Sequence, residues 1–251
     1  MSVSKTAYYY KPVKQLDETE IKTYLLSLAL EHKRWGFEKM MQKARLDNKP
    51  WNHKRVYRVY CELKLNIRIK PRKRLPKGEA KALVYPIKQN VCWSMDFMTD
   101  VLYTSQKFRT LNIIDDYNRQ ALLIEPAYTL PSAKVTAWVD TLAKKRGYPA
   151  MIRVDNGPEF ISGHFKRWAA SRGIKILYIQ PGKPAQNGLI ERFNRTFREE
   201  VLDVHCFDSL DEVKHISANW IEKYNHKRPH DALMGLPPIK FADWRNKMLT
   251  S

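Results

Sequence analysis

The sequence has no long apolar run. Nothing among its 251 residues approaches a membrane span, and the first residues lack the apolar core of a secretory signal. Cysteine is scarce: Cys61, Cys92 and Cys206 are odd in number and widely spaced, so they fit neither a disulfide framework nor a Cys-x-x-Cys zinc site. The seven histidines show no zinc-like spacing, and no internal repeat is visible. A reducing cytosol is therefore expected, with no role for a membrane. Acid is the other shortage, with 26 Asp and Glu against 45 Lys and Arg and a formal charge of +19. Such an excess calls for a polyanionic partner rather than a fold explanation.

The positive charge sits at the front. Between Lys33 and Lys77 there are 16 Lys or Arg, and the only acids are Glu38, Asp47 and Glu62, whereas the stretch from Val91 to Glu191 is nearly balanced. Trp35, Phe37, Trp51, Tyr57 and Tyr60 interleave with these charges, which a disordered tail would lack. Met1 to Leu16 reads as frayed or linking. Asp17, with Glu20 as capping-box partner, starts a helix whose apolar stripe is Ile21, Tyr24, Leu25 and Leu28. A second helix is expected over Glu38–Leu46. Asn52 then caps a third, with Val56, Val59, Tyr60 and Leu63 at i, i+3, i+4, i+7 and Lys54, Arg55, Arg58 and Glu62 facing away. An amphipathic helix with a basic outer face, after another short helix, has the pattern of a helix-turn-helix recognition helix on double-stranded DNA. Lys70, Arg72, Lys73 and Arg74 follow and would add sequence-independent phosphate contacts. Pro71 to Ala80 reads as a linker. The expected division is 1–80 for this region, 85–205 for a catalytic core and 206–251 for a helical extension.

From Tyr85 the pattern turns to strands. The runs Val91–Met98, Phe108–Ile114 and Ala121–Ile124 suggest an antiparallel meander. A helix capped by Ser132, a strand over Met151–Val154, a helix over Ser162–Arg172, a strand over Lys175–Ile179 and a last helix follow. Asp96 lies in the middle of the first strand and Asp155 at the end of the fourth, before the breaker Asn156-Gly157-Pro158. Glu191 lies on the last helix, where Asn194, Arg195 and Arg198 share its face at i+3, i+4 and i+7. Three converging carboxylates repel one another unless a divalent cation neutralises them. Two Mg²⁺ or Mn²⁺ ions roughly 3.5–4 Å apart suit in-line displacement at phosphorus. Asp100, Asp115, Asp116 and Glu159 are rival acids, with Asp115 and Asp116 read as turn chemistry before Tyr117.

The blocks Trp93-Ser94-Met95-Asp96-Phe97, Ile114-Asp115-Asp116-Tyr117-Asn118-Arg119, Asp155-Asn156-Gly157-Pro158-Glu159-Phe160 and Asn187-Gly188-Leu189-Ile190-Glu191-Arg192-Phe193-Asn194-Arg195 stand in this order. With Tyr224-Asn225-His226-Lys227-Arg228-Pro229-His230 after them, they resemble the OrfB-type DDE transposases of bacterial insertion sequences. The resemblance implies an α/β fold, a ribonuclease H-like mixed sheet flanked by helices, here preceded by a small all-α helix-turn-helix-like domain. It implies Asp96, Asp155 and Glu191 as catalytic metal ligands, and cleavage at element ends followed by strand transfer of the 3′-OH. It further implies Arg198 at DNA, self-association, an upstream-frame OrfA-like protein or fusion, and a bacterial, nucleoid-associated location; Asn194 on the Glu191 face and Lys183 in the Gly/Pro loop before that helix are expected as further DNA contacts. The zinc module of retroviral integrases is absent from the sequence. The chain starts with its own Met and shows no leucine-zipper heptads, so it is expected to act as the catalytic partner of a longer fusion. A catalytically silent DNA-binding regulator and a ribonuclease H-like nuclease on RNA–DNA hybrids remain the alternatives.

Overall fold

The computed structural model describes residues 17–67, 86–180 and 184–250, with backbone alone at Asp17, Pro184, Ala185, Leu249 and Thr250. The Asp17 cap, the linker over 71–80, and Lys70, Arg72, Arg74, Lys73 and Lys183 thus lie outside the described residues. The chain divides into two compact units, residues 1–71 and 72–251.

In the first unit three helices, α1 (Asp17–Glu31), α2 (Phe37–Leu46) and α3 (His53–Glu62), enclose one apolar cluster. Asn52 starts α3 as expected, its side-chain oxygen accepting the Lys54 backbone N–H at 2.9 Å. Val56, Val59 and Tyr60 form the buried stripe and meet Ile21, Leu25, Trp35 and Met40. The Tyr60 hydroxyl donates to the Leu65 carbonyl at 2.7 Å, tying down the chain after α3.

The second unit opens with β1 (Cys92–Val101), β2 (Lys107–Asp115) and β3 (Ala121–Ala127), an antiparallel meander. Helix α4 (Ser132–Arg146) crosses to β4 (Met151–Val154), and α5 (Pro158–Ile161) with α6 (Gly163–Ser171) crosses to β5 (Lys175–Tyr178). Both later strands run parallel to β1, giving the sheet order β3-β2-β1-β4-β5. Helices α7 (Gly188–Glu200), α8 (Leu210–His226) and α9 (Pro238–Thr250) complete the unit. This mixed five-stranded sheet flanked by helices is the ribonuclease H-like arrangement. The α4 start differs from expectation: Pro131 is the N-cap, and the Ser132 hydroxyl instead accepts from the Ser162 hydroxyl at 2.8 Å.

Strand alternation sorts β1 between two cores. Trp93 and Met95 pack with Val135, Val139, Phe165 and Trp168 of α4 and α6. Met98 and Leu102 pack with Ile190, Phe193 and Phe197 of α7 and Trp220 of α8. Each fully buried large side chain contributes roughly 1.5–3 kcal/mol of apolar burial. Asp96 belongs to the second set by parity, so it faces α7.

The segment 206–251 joins the same core. Asn225 of α8 accepts the Ala121 N–H at 2.9 Å and donates to the Ala121 carbonyl at 2.8 Å, so its amide extends the sheet at β3. Arg228 pairs with Glu200 of α7 at 2.9 Å, and Tyr224 stands edge-on to His230. The Tyr224–His230 block therefore works as a docking device for the C-terminal helices.

Candidate active site

Parallel pairing of β1 with β4 matches Cys92 to Met151, Trp93 to Ile152 and Ser94 to Arg153. Continued two residues, the same register sets Asp96 against Asp155, just past the end of β4. Adjacent strands lie about 4.8 Å apart, so the two backbones are neighbours. Ile152 and Val154 fill the core under α4 and α6. Alternation then turns Asp155, like Asp96, to the α7 side. Helix α7 buries Leu189, Ile190, Phe193, Asn194 and Phe197, which leaves Glu191 in its first turn exposed.

Asp96 is held by two donors. The Phe97 backbone N–H reaches its Oδ1 at 2.8 Å, and the Asn194 amide reaches its Oδ2 at 2.8 Å. Asn194 in turn accepts from the Asn112 amide at 2.7 Å, and Asn112 is the cross-strand partner of Asp96. Burial pushes the Asp96 carboxyl up to about 6; the Phe97 N–H and Asn194 pull down, while the charges of Asp155 and Glu191 push further up. Asp155 and Glu191 are thus close enough to Asp96 for their charges to act on it. Among the described residues no Lys or Arg forms an ion pair with any of them. Nor, among the described residues, are three His, Cys, Asp or Glu side chains drawn together closely enough to hold a metal ion by themselves. The donor set nonetheless fits a hard divalent cation, since it offers carboxylate oxygens with an unbalanced negative charge.

The other acids have partners. Asp115 accepts the Tyr117 N–H at 2.9 Å and the Asn90 N–H at 2.7 Å, which is turn chemistry as expected. Asp116, as buried as Asp115, differs in its partners: it takes the Ser94 hydroxyl at 2.6 Å and pairs with Arg153. Asp100 holds Arg198, and Glu159 holds Arg109.

The residues expected at DNA separate into three groups. Lys54 is exposed on α3, Arg55 is partly exposed beside it, and Arg58 is exposed but paired with Glu18 and, at 3.6 Å, with Glu62. Arg198 donates to the Thr99 carbonyl at 2.9 Å and contacts Asp100 at 3.3 Å, so it also ties α7 to β1. Asn194, also expected at DNA, is only 8% exposed and has both ends of its amide occupied inside the protein. At 100° per residue it falls toward the Ile190–Phe193–Phe197 stripe, while Glu191, Arg195 and Arg198 flank it. Sequence reasoning missed Asn112, Arg109 and Arg153, single polar residues in apolar strands that carry no local signal of their partners.

The integrase core domain family matches residues 86–184, and a second profile with the same description matches residues 172–238. The 39.2 kDa protein of insertion element IS476 from Xanthomonas euvesicatoria is 36% identical over 240 residues, which cover 96% of this chain and 69% of that one. The 31.7 kDa protein of insertion element IS407 from Burkholderia multivorans is 34% identical over 242 residues, covering 96% and 87%. The InsK transposase of insertion sequence IS150 from Escherichia coli is 24% identical over 263 residues, covering 96% and 90%. With its ribonuclease H-like sheet, and with Asp96 inside β1 set against Asp155 just past β4, the chain belongs to the integrase-core transposases of bacterial insertion elements, enzymes of the polynucleotidyl transferase type.

Proposed function

We propose that this chain cuts DNA at the ends of an insertion element and joins the freed 3′-OH to a target duplex. The observation that carries the reading is Asp96, held by Asn194 and matched in register to Asp155, its carboxyl raised first by burial and then by the charges of Asp155 and Glu191. These three side chains are the ones that would hold two Mg²⁺ or Mn²⁺ ions. Such ions, when bound, activate an oxygen nucleophile and neutralise charge on the scissile phosphate.

The protein's own contribution is placement. Asp96 in β1 and Asp155 just past β4 stand at matched positions of neighbouring parallel strands, and Glu191 lies on the exposed flank of α7. Water attacks phosphorus first and releases a 3′-OH; that hydroxyl then attacks a target phosphorus, and one phosphodiester replaces another. No covalent protein intermediate is required. Cys92, close to Asp116 and Arg153, does not supply one, because burial pushes its thiol well above the ordinary range. The first unit is proposed to grip duplex DNA through Lys54 and Arg55 on α3 in helix-turn-helix fashion, with Lys70, Arg72, Lys73, Arg74, Lys183 and Arg198 as further contacts. Self-association and an upstream-frame partner belong to the same proposal.

The test is a joining assay with labelled element-end oligonucleotides, a target duplex and Mg²⁺. Joined product is expected from the chain alone or fused to its upstream frame. Cleavage of an RNA–DNA hybrid without joining points to a nuclease instead, and tight DNA binding with neither activity in either form points to a regulator.

A further inference from the structure

Past the end of β4, four side chains close a ring between β1, β2 and α5. The Arg109 guanidinium of β2 lies 4.5 Å over the Phe97 ring of β1 and pairs with Glu159 of α5. Phe160, next to Glu159, stacks on Phe97 with ring centroids 4.7 Å apart and planes 10° from parallel. The Glu159 side chain is 14% exposed and that of Arg109 33%, so the pair is partly shielded from water.

We propose that Arg109 and Glu159 are positioning residues of the acidic site, a brace that fixes the loop carrying Asp155. The proposal rests on the reading of Asp155 as a metal ligand. Gly157 lies between the two acids: a Cβ built there would stand 3.0 Å from Asp155 Oδ1 and 3.3 Å from Glu159 Oε2. The Gly157 N–H donates to that same Asp155 oxygen at 3.0 Å. The two carboxylates therefore flank the one small space where a Cβ of residue 157 would stand. Without a cation they repel, and the turn yields. Arg109 neutralises Glu159 and holds it by its other oxygen, Oε1, with Phe97 and Phe160 as a wall. It stands cross-strand from Thr99, whose carbonyl receives Arg198 of α7. One rung of the β1–β2 hairpin thus supports both the Asp155 loop and the helix of Glu191. Glu159 is an acid set to hold the loop and is itself committed to Arg109.

Mn²⁺ binding to the full chain, followed by calorimetry, tests the brace alongside the joining assay. Arg109→Met keeps an apolar stem over Phe97 and removes the charge; Glu159→Gln keeps the shape and removes the opposite charge. A brace predicts that each weakens Mn²⁺ binding roughly tenfold, the size typical of residues that orient metal ligands. The double variant should bind no more weakly than either single one. Charge alone predicts otherwise, because losing the Arg109 cation would tighten Mn²⁺ binding; that result overturns the brace. Unchanged Mn²⁺ affinity in both variants, with a lowered melting temperature, also overturns it and leaves a packing contact. Asp155→Asn reports on the underlying reading: if it binds Mn²⁺ as tightly as wild type, the three-carboxylate site fails first and the brace with it.

Discussion

Asn194 donates its amide to Asp96 Oδ2 at 2.8 Å, across 98 residues of chain and from a helix to a strand. Because Asn112 donates to the other end of that amide at 2.7 Å, Asn194 is a clamped bridge rather than a free surface group. Asn194→Ala leaves a buried donor of Asn112 unpaired and a carboxylate without its partner. We expect a loss of about 1–3 kcal/mol in urea unfolding and a fall in joining that exceeds the loss of folded protein. Unfolding without any change in joining per folded molecule would make Asn194 structural only.

Asp155→Asn removes a charge and keeps the shape. Joining and cleavage should disappear while affinity for duplex DNA is retained. Mn²⁺ should raise the melting temperature of wild type and raise that of the variant less, since only binding to the folded state stabilises it. Parallel loss of DNA binding and catalysis would indicate unfolding and sink the assignment.

Arg198 sits two turns beyond Glu191 and is anchored by Thr99 and Asp100. Arg198→Ala is expected to reduce joining of pre-cleaved ends more than nicking of a plain duplex, because joining needs two DNA segments held at once. Both products are measured on one preparation, and an equal reduction of the two contradicts a role in holding the end.

On α3, Lys54 and Arg58 should differ. Lys54 is exposed, whereas Arg58 is engaged by Glu18 and Glu62. Lys54→Ala should weaken duplex binding by the full chain and lower the slope of log K against log salt by about 1. Arg58→Ala should do less. A salt titration that ranks them in reverse argues against α3 as the DNA-facing helix in this orientation.

Arg153 and Asp116 are buried together under the Ser94 hydroxyl. Arg153→Met leaves the buried Asp116 without its cation and with no charged partner beside the Ser94 hydroxyl, and should cost roughly 3–5 kcal/mol in urea unfolding. The double replacement Arg153→Met with Asp116→Leu should recover part of that. A single variant as stable as wild type would show that the pair is not closed in solution.

What the sequence determined by itself was local. Alternation in Val91–Met98, the Asn52 cap and the Val56–Val59–Tyr60 stripe each depend on residues within a few positions, and these elements appear where expected. The order of strands and helices, and hence the fold class, follows from such short-range signals together with the motif blocks. The polar partnerships could not be read that way. Asp96 meets Asn194 across 98 residues, Arg109 meets Glu159 across 50, and Asp116 meets Arg153 across 37. Whether a polar residue on a helix faces solvent or core is settled by the angle at which that helix lies on the sheet. Asn194 and Arg198 share a face in one dimension, yet α7 lies so that the first is buried and the second reaches the strand edge. Only tertiary packing sets that angle, because it is the burial of Ile190, Phe193 and Phe197 against Met98 and Trp220 that rotates the helix into place.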